Sequence, residues 1–195
     1  TLASLYFIVA SGFTLVFGLM RNVNLAHGSL YLLGGYVGFT IAEKTGWWIL
    51  AMAGGFAAAA IVGVLIQVLL LRHMQGQELR QTMVTIGLSI VIADILLWIF
   101  TGQVHQMEAP EWLQGPIRGI PLINAYSAYR LSLLGFGIAI GIGLWWLLSR
   151  TRVGAMIRAG VDDMEMARGV GIPVGRLFTM VFLLGAALAG TGGAL

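Results

Sequence analysis

The chain has 195 residues, 58% apolar and only 10% charged, whereas soluble domains carry about a quarter charged residues; most of its surface cannot face water. The absence of cysteine excludes disulfides, iron–sulfur clusters and thiolate zinc sites, and three scattered histidines lack the paired spacing of a dedicated metal site. The net charge of +3 is too small and too confined to loops for a nucleic-acid partner, and marks instead the face against anionic cytoplasmic lipid.

Six apolar segments of 18 to 25 residues follow one another: Leu2–Met20, Leu25–Ala42, Trp47–Leu71, Thr82–Phe100, Leu131–Ser149 and Leu177–Leu195. Each suffices to cross a hydrocarbon core of about 30 Å at ~1.5 Å per residue. Continuous apolar runs without strand alternation predict an all-α, polytopic transmembrane helical bundle of about six spans, because lipid satisfies no open backbone groups. One membrane domain over residues 1–195 is expected. The first segment opens without a basic leader and the last runs to Leu195 without a polar tail, so both ends are expected to continue. Small residues four apart, Gly34 with Gly38, Gly137 with Gly141 and Gly185 with Ala189, predict close helix–helix contact.

Between the first two segments lies Arg21-Asn22-Val23-Asn24-Leu25-Ala26-His27-Gly28-Ser29. Asn24 or Ser29 suits a helix cap, and the helix start that follows attracts anions such as an amino-acid carboxylate. Asn22, Asn24, His27 and Ser29 are therefore candidate substrate-path residues; the plainer reading is a polar turn at the cytoplasmic interface with His27 in water. The second segment is the shortest and begins with polar residues. In the third, Gln67 stands near the inner end, where interfacial water would satisfy it. The fourth carries Asp94, the one acid inside a span and so a candidate path residue. Gly87, Asp94 and Trp98 share a face nearly opposite Thr82, Thr85 and Ser89, so the partner of Asp94 must come from another helix or from water.

Arginine placement sets the orientation. Arg21, Arg72, Arg80, Arg150, Arg152, Arg158, Arg168 and Arg176 fall on one side, and Lys44, Arg118 and Arg130 on the other, which makes the first side cytoplasmic. Residues 101–130 then form an outer loop expected to hold a short surface helix and turns, with Glu108, Glu111 and Arg118 as candidate contacts for a delivery protein. Residues 150–176 form a cytoplasmic loop with eight of the nineteen charges. Within it Asp162-Asp163-Met164-Glu165 has capping-box spacing, predicting a two-turn helix from Asp162 through Ala167, ended by Gly169, Gly171 and Pro173. Such a helix suits docking of a soluble partner, with apolar contact from Met164, Met166 and Val170 and charge from Arg158 and Arg168; the plainer reading packs it on its own bundle.

The stretch SLYFIVASGFTLVFGLMRNVNLAHGSLYLLGGYVG, with its asparagine, apolar pair and His-Gly at Asn24 to Gly28, resembles the start of the permeases of branched-chain amino acid importers of the ATP-binding-cassette class. TMVTIGLSIVIADILLWIFTG is similar to their central span, and TRVGAMIRAGVDDMEMARGVGIPVGRLFTMVFLLGAALAGTGGAL to their coupling loop and following helix. The permease signature of glutamate, two alanines and a glycine resembles Glu165, Met166, Ala167 and Gly171, with Met166 in place of the first alanine. The resemblance implies a chain that is not itself an enzyme and binds no cofactor. ATP is hydrolysed by two cytoplasmic ATP-binding subunits, and no Gly-x-x-x-x-Gly-Lys loop occurs in this chain. It further implies a second permease subunit, an external substrate-binding protein, surrounding membrane lipid, and residence in the cell inner (plasma) membrane. The family's coupling helix carries over to Asp162, Asp163, Glu165, Met166, Ala167, Arg168 and Gly171, with Arg158 nearby. Urea, a short amide or a simple sugar remains an alternative cargo. An ATP-independent channel or ion-coupled carrier using Asp94 is the alternative of another class, and an intramembrane hydrolase ranks last for want of a paired nucleophile and base.

Overall fold

The computed structural model describes residues 2–20, 24–74, 76–102, 116–117 and 126–195. Helices α1 (Leu2–Met20), α2 (His27–Thr45) and α3 (Trp48–Leu69) are followed by a 3-10 turn, Leu71–Met74, and α4 (Glu78–Phe100). Two-residue strands β1 (Pro116–Ile117) and β2 (Tyr126–Ser127) pair antiparallel, Pro116 opposite Ser127. The chain continues through α5 (Ala128–Arg150), α6 (Arg152–Asp162), α7 (Met164–Gly169) and α8 (Val174–Ala194). The helix expected in the outer loop, with Glu108, Glu111 and Arg118, falls outside the described residues.

Five helices, α1, α3, α4, α5 and α8, are long and apolar enough to cross a membrane, so the chain is a multi-pass membrane protein with an all-α bundle. The remaining expected span is the helix α2, which falls short of that apolarity: His27 opens it and Glu43 and Lys44 close it. Its surroundings explain this. α2 is enclosed by α3, α8 and α4, so protein rather than lipid covers most of its surface and little greasy side chain is required.

α8 is the axis on which α1, α2 and α3 pack. Lipid supplies no hydrophobic drive between helices, so their contact rests on close backbone approach and dispersion. A Cβ on Gly55 of α3 would stand 2.8 Å from the Gly34 carbonyl of α2 and 3.1 Å from that of Gly190 in α8. Gly34 and Gly190 themselves meet backbone to backbone. On the other flank, a Cβ on Gly12 of α1 would lie 2.8 Å from the Gly185 carbonyl. Gly38 meets Ala194 and Ala51, while Gly137 and Gly141 of α5 bear on Ser4 and Phe7 of α1. All three small-residue pairs read from the sequence are thus packing faces. Around them Val181, Phe182, Ala186 and Ala189 of α8 complete a buried core with Val16, Leu30 and Ala59. By contrast α4 and α5 leave most of their length uncovered, with Ile90, Val91, Ile138 and Trp145 exposed.

Replacing Gly190 by valine forces branched carbons into the Gly55 carbonyl and the Ala59 methyl. We expect a loss of about 3 kcal/mol or more, read as a lower melting temperature of the full-length protein in detergent. Gly143→Val, placed where nothing lies within 4 Å, should shift stability by less than about 0.5 kcal/mol.

Candidate functional site

The polar stretch before α2 does not lie at the rim of the bundle. Leu25 N–H donates to Thr85 Oγ1 at 3.4 Å and Ser29 Oγ to the Ser89 carbonyl at 3.0 Å. Thr85 and Ser89 stand about two and three turns into α4, roughly 10 and 16 Å from its start. His27 Nε2 reaches the carbonyl of Val9 in the middle of α1 at 3.2 Å, and its ring meets Phe13 edge-on. A carbonyl only accepts, so Nε2 carries the proton of this bond. Helix α2 therefore begins inside the bundle, well above the end where α6 and α7 lie. Asn24, His27, Ser29 and Thr85 are all buried, which overturns the reading of His27 as a solvated interfacial residue.

The residue immediately before α2 offers no side-chain cap of its own. Ala26 occupies the cap position without a side-chain acceptor, one of the weakest choices there. Of the two expected caps Asn24 serves the turn that leads into α2, its Oδ1 accepting from Ala26 N–H at 3.1 Å and its carbonyl from His27 N–H at 3.3 Å, while Ser29 turns to α4. The Asn24 Nδ2 amide and both polar atoms of Gln67 are buried without a hydrogen-bond partner. Gln67 is 0% exposed, so the interfacial water expected for it does not reach it. Its burial follows from the 3-10 turn after α3, which prolongs the chain beyond Gln67 and receives Gln81 Nε2 on the Met74 carbonyl at 2.9 Å. Sequence position near a segment end was a poor guide to depth.

The structure gathers Asn24, His27 and Ser29 but not Asp94. Thr85 faces α2 and is buried, whereas Asp94 lies exposed on the other side of α4, beside Trp98. That separation follows the helical spacing of the sequence. Asn22 lies outside the described residues.

The cytoplasmic loop is mostly helical. α6 was not expected: Thr151 caps it, its Oγ1 accepting from Gly154 N–H at 3.1 Å while donating to the Leu147 carbonyl at 2.5 Å. Gly154, Ile157 and Gly160 form its buried face, with Gly160 against Leu19 and Leu177. Arg158 and Asp162 lie exposed on the same helix and line an apolar groove of about 630 Å³ between α1, α5 and α6. α7 starts one residue later than predicted. Asp163, not Asp162, caps it, Oδ1 accepting from Met166 N–H at 2.9 Å; Asp162 ends α6 instead.

The far end of α7 is held as tightly. Gly171 has φ +85°, Ile172 N–H bonds to the Ala167 carbonyl and Gly171 N–H to that of Arg168, both at 3.0 Å. This 6→1 and 5→2 pair is a Schellman closure, which needs a left-handed residue that glycine adopts freely. Ala167 is buried against the core, so its carbonyl and side chain anchor the helix. Met166 (65% exposed), Val170 (69%), Glu165 and Arg168 then point outward.

Loss of the cap in Asp163→Ala should destabilise α7 by about 1 kcal/mol, and Gly171→Ala by a similar or larger amount through left-handed strain. Hydrogen exchange over residues 164–172 should quicken severalfold in both variants while the bundle's melting temperature holds.

The family model described as branched-chain amino acid transport system / permease component matches residues 1–195. The chain is 29% identical to the high-affinity branched-chain amino acid transport system permease protein BraD of Pseudomonas aeruginosa, over 97% of this chain and 65% of that protein. It is 26% identical to the permease protein LivH of Escherichia coli, over 100% of this chain and 67% of that protein. A probable LivH of Methanocaldococcus jannaschii is 26% identical over 99% of this chain and 62% of its own length. The chain thus spans about two thirds of the length of these relatives, and no solved structure matches it. With the match running from end to end, the chain belongs to the family of permease components of branched-chain amino acid transport systems.

Proposed function

We propose that this chain is the membrane-spanning subunit of an ATP-driven importer for branched-chain or related amino acids, residing in the cell inner (plasma) membrane. The observation that carries the reading is α7: a short helix fixed at both ends, anchored by Ala167, and presenting Glu165, Met166, Arg168 and Val170 outward. An exposed apolar pair flanked by opposite charges suits a groove on a soluble partner. That partner is the ATPase, two copies of which supply the energy; this chain binds no cofactor and is not itself an enzyme. Asp163 and Gly171 position the coupling helix rather than touch the partner. Arg158 and Asp162 lie exposed on α6, one helix earlier, and are assigned to the same partner. The arginines of α5 to α8, Arg150, Arg152, Arg158, Arg168 and Arg176, share this end of the chain, which makes it cytoplasmic.

The path itself is assigned to the start of α2, with Asn24, His27 and Ser29 lining it and Asn22 on its approach. Asp94 is assigned to the open face of α4. A carboxylate facing hydrocarbon is costly, so that face is turned to a second permease subunit or to water between the two. An external binding protein delivers the cargo.

The test is reconstitution of the full-length permease with its neighbouring ATPase and binding protein, followed by labelled-leucine uptake against ribose and urea as competitors. Uptake should require ATP and yield only to apolar amino acids. Uptake without ATP would sink the importer reading, and competition by ribose or urea would change the cargo. Met166→Asp and Arg168→Glu should each cut uptake at least tenfold with the melting temperature unchanged; normal transport by both would remove α7 from coupling.

A further inference from the structure

Two arginines take no part in α7 or in the polar stretch before α2. Arg72 stands in the 3-10 turn that follows α3, and Arg176 in the first turn of α8. α3 and α8 pack antiparallel, Gly55 against Gly190 and Gly63 against Ala186 and Phe182, so the end of one span lies beside the start of the other. Both arginines line one cavity there, of about 650 Å³, together with Pro173, Gly175, Thr179 and Met180.

The charge of this cavity is unbalanced. Arg72 and Arg176 are exposed, neither makes an ion pair or a side-chain hydrogen bond among the described residues, and no acid lines the cavity. Thr179 Oγ1 donates its proton to the Gly175 carbonyl at 3.1 Å, so the side-chain donors open to an occupant are the two guanidinium groups. Like charges at the edge of a low-dielectric medium repel more strongly than they would in bulk water. An anion in the cavity offsets that cost, and guanidinium grips phosphate oxygens in pairs.

The setting narrows the source of that phosphate. Arg72 closely follows the span Trp48–Leu69 and Arg176 opens the span Val174–Ala194, which puts the cavity at the level of lipid headgroups. Its deeper wall is apolar: Met180, one turn further into α8 than Arg176, is 49% exposed. Phosphate first and hydrocarbon below is the order of groups in a phospholipid. A zwitterionic headgroup would bring an ammonium towards two guanidiniums with no acid to receive it. We infer that the cavity is a site for an anionic phospholipid, its phosphate held by Arg72 and Arg176 and its acyl chains descending past Met180. The volume lies within the ~300–1,000 Å³ of ordinary small-molecule sites. Lipid thereby gains a hold on the start of α8, one turn beyond the Ile172 that closes α7. The site depends neither on the cargo nor on the energy source proposed above.

The experiment titrates the purified full-length permease in detergent, alone and with its neighbouring ATPase, and counts bound lipid by native mass spectrometry. The probes are dioleoyl phosphatidylglycerol and dioleoyl phosphatidylethanolamine, with inorganic phosphate as competitor. Phosphatidylglycerol should bind saturably, at least tenfold more tightly than phosphatidylethanolamine, and should resist displacement by millimolar phosphate. The pair Arg72→Gln and Arg176→Gln together should weaken it at least tenfold, whereas Arg80→Gln, the same change at the start of α4, should leave it within about twofold. Gly175→Trp grows into open space, since nothing lies within 4 Å of a Cβ there. It should exclude the lipid with both arginines kept, which separates a built cavity from diffuse attraction. It also serves if the arginine pair does not fold. Equal binding of the two lipids, displacement by phosphate, or undiminished phosphatidylglycerol binding in either variant would overturn the site. Arginine variants that keep the lipid but release the ATPase would give the cavity to that partner instead. No transport is measured, so failure of the importer reading leaves this site standing.

Discussion

Where α2, α3 and α8 cross, three glycines, Gly34, Gly55 and Gly190, bring backbone against backbone with no side chain between. In water such a junction is one contact among many; in lipid it is a chief source of cohesion, because apolar side chains gain little by leaving hydrocarbon for protein. The junction also sets heights. Once Gly34 is locked to Gly55 and Gly190, α2 cannot slide along its neighbours, and its first turn is held deep among α1, α3 and α4. The depth of the polar stretch is thus a consequence of where glycines fall in three different helices.

Much of this was legible in the sequence. The apolar run Leu2–Met20 coincides with α1 to the residue, and the small-residue pairs named the packing faces before any partner was known. What the sequence did not carry is level. Nothing in Asn24-Leu25-Ala26-His27 says whether it lies at an interface or well inside a bundle, since the answer depends on the register of Gly34 and Gly38 against other segments. Gln67 misled for the same reason. α6 was hidden by composition: Gly154 and Gly160 occupy its buried face because Leu147, Leu148 and Leu19 come too close for a side chain, and glycine in a charged stretch reads as loop. The periodicity Gly154, Ile157, Gly160 and the cap Thr151 were present but weak. The start of α7 was missed by one residue, since two adjacent aspartates offer equally good caps and only the turn out of α6 chooses between them.

The two ends of the mechanism are joined by little chain. α8 begins a few residues after the Schellman closure of α7, with Val174 N–H on the Ile172 carbonyl at 2.8 Å, and it is the helix against which α2 is registered. A displacement of α7 therefore has a short, stiff route to the level of Asn24, through packed backbone rather than through a flexible linker.

The deep start of α2 has an electrical consequence. Charges at the arginine-rich end stand in or near water, where mobile ions shield them beyond about 8 Å at physiological ionic strength. The partial positive charge at the head of α2 lies beyond the reach of those ions, in a medium that weakens it far less. The chain thus carries two electrostatic regimes on one axis. Salt and the surrounding ions tune its outer contacts with other proteins, while the partial charge at the head of α2 is screened far less by them.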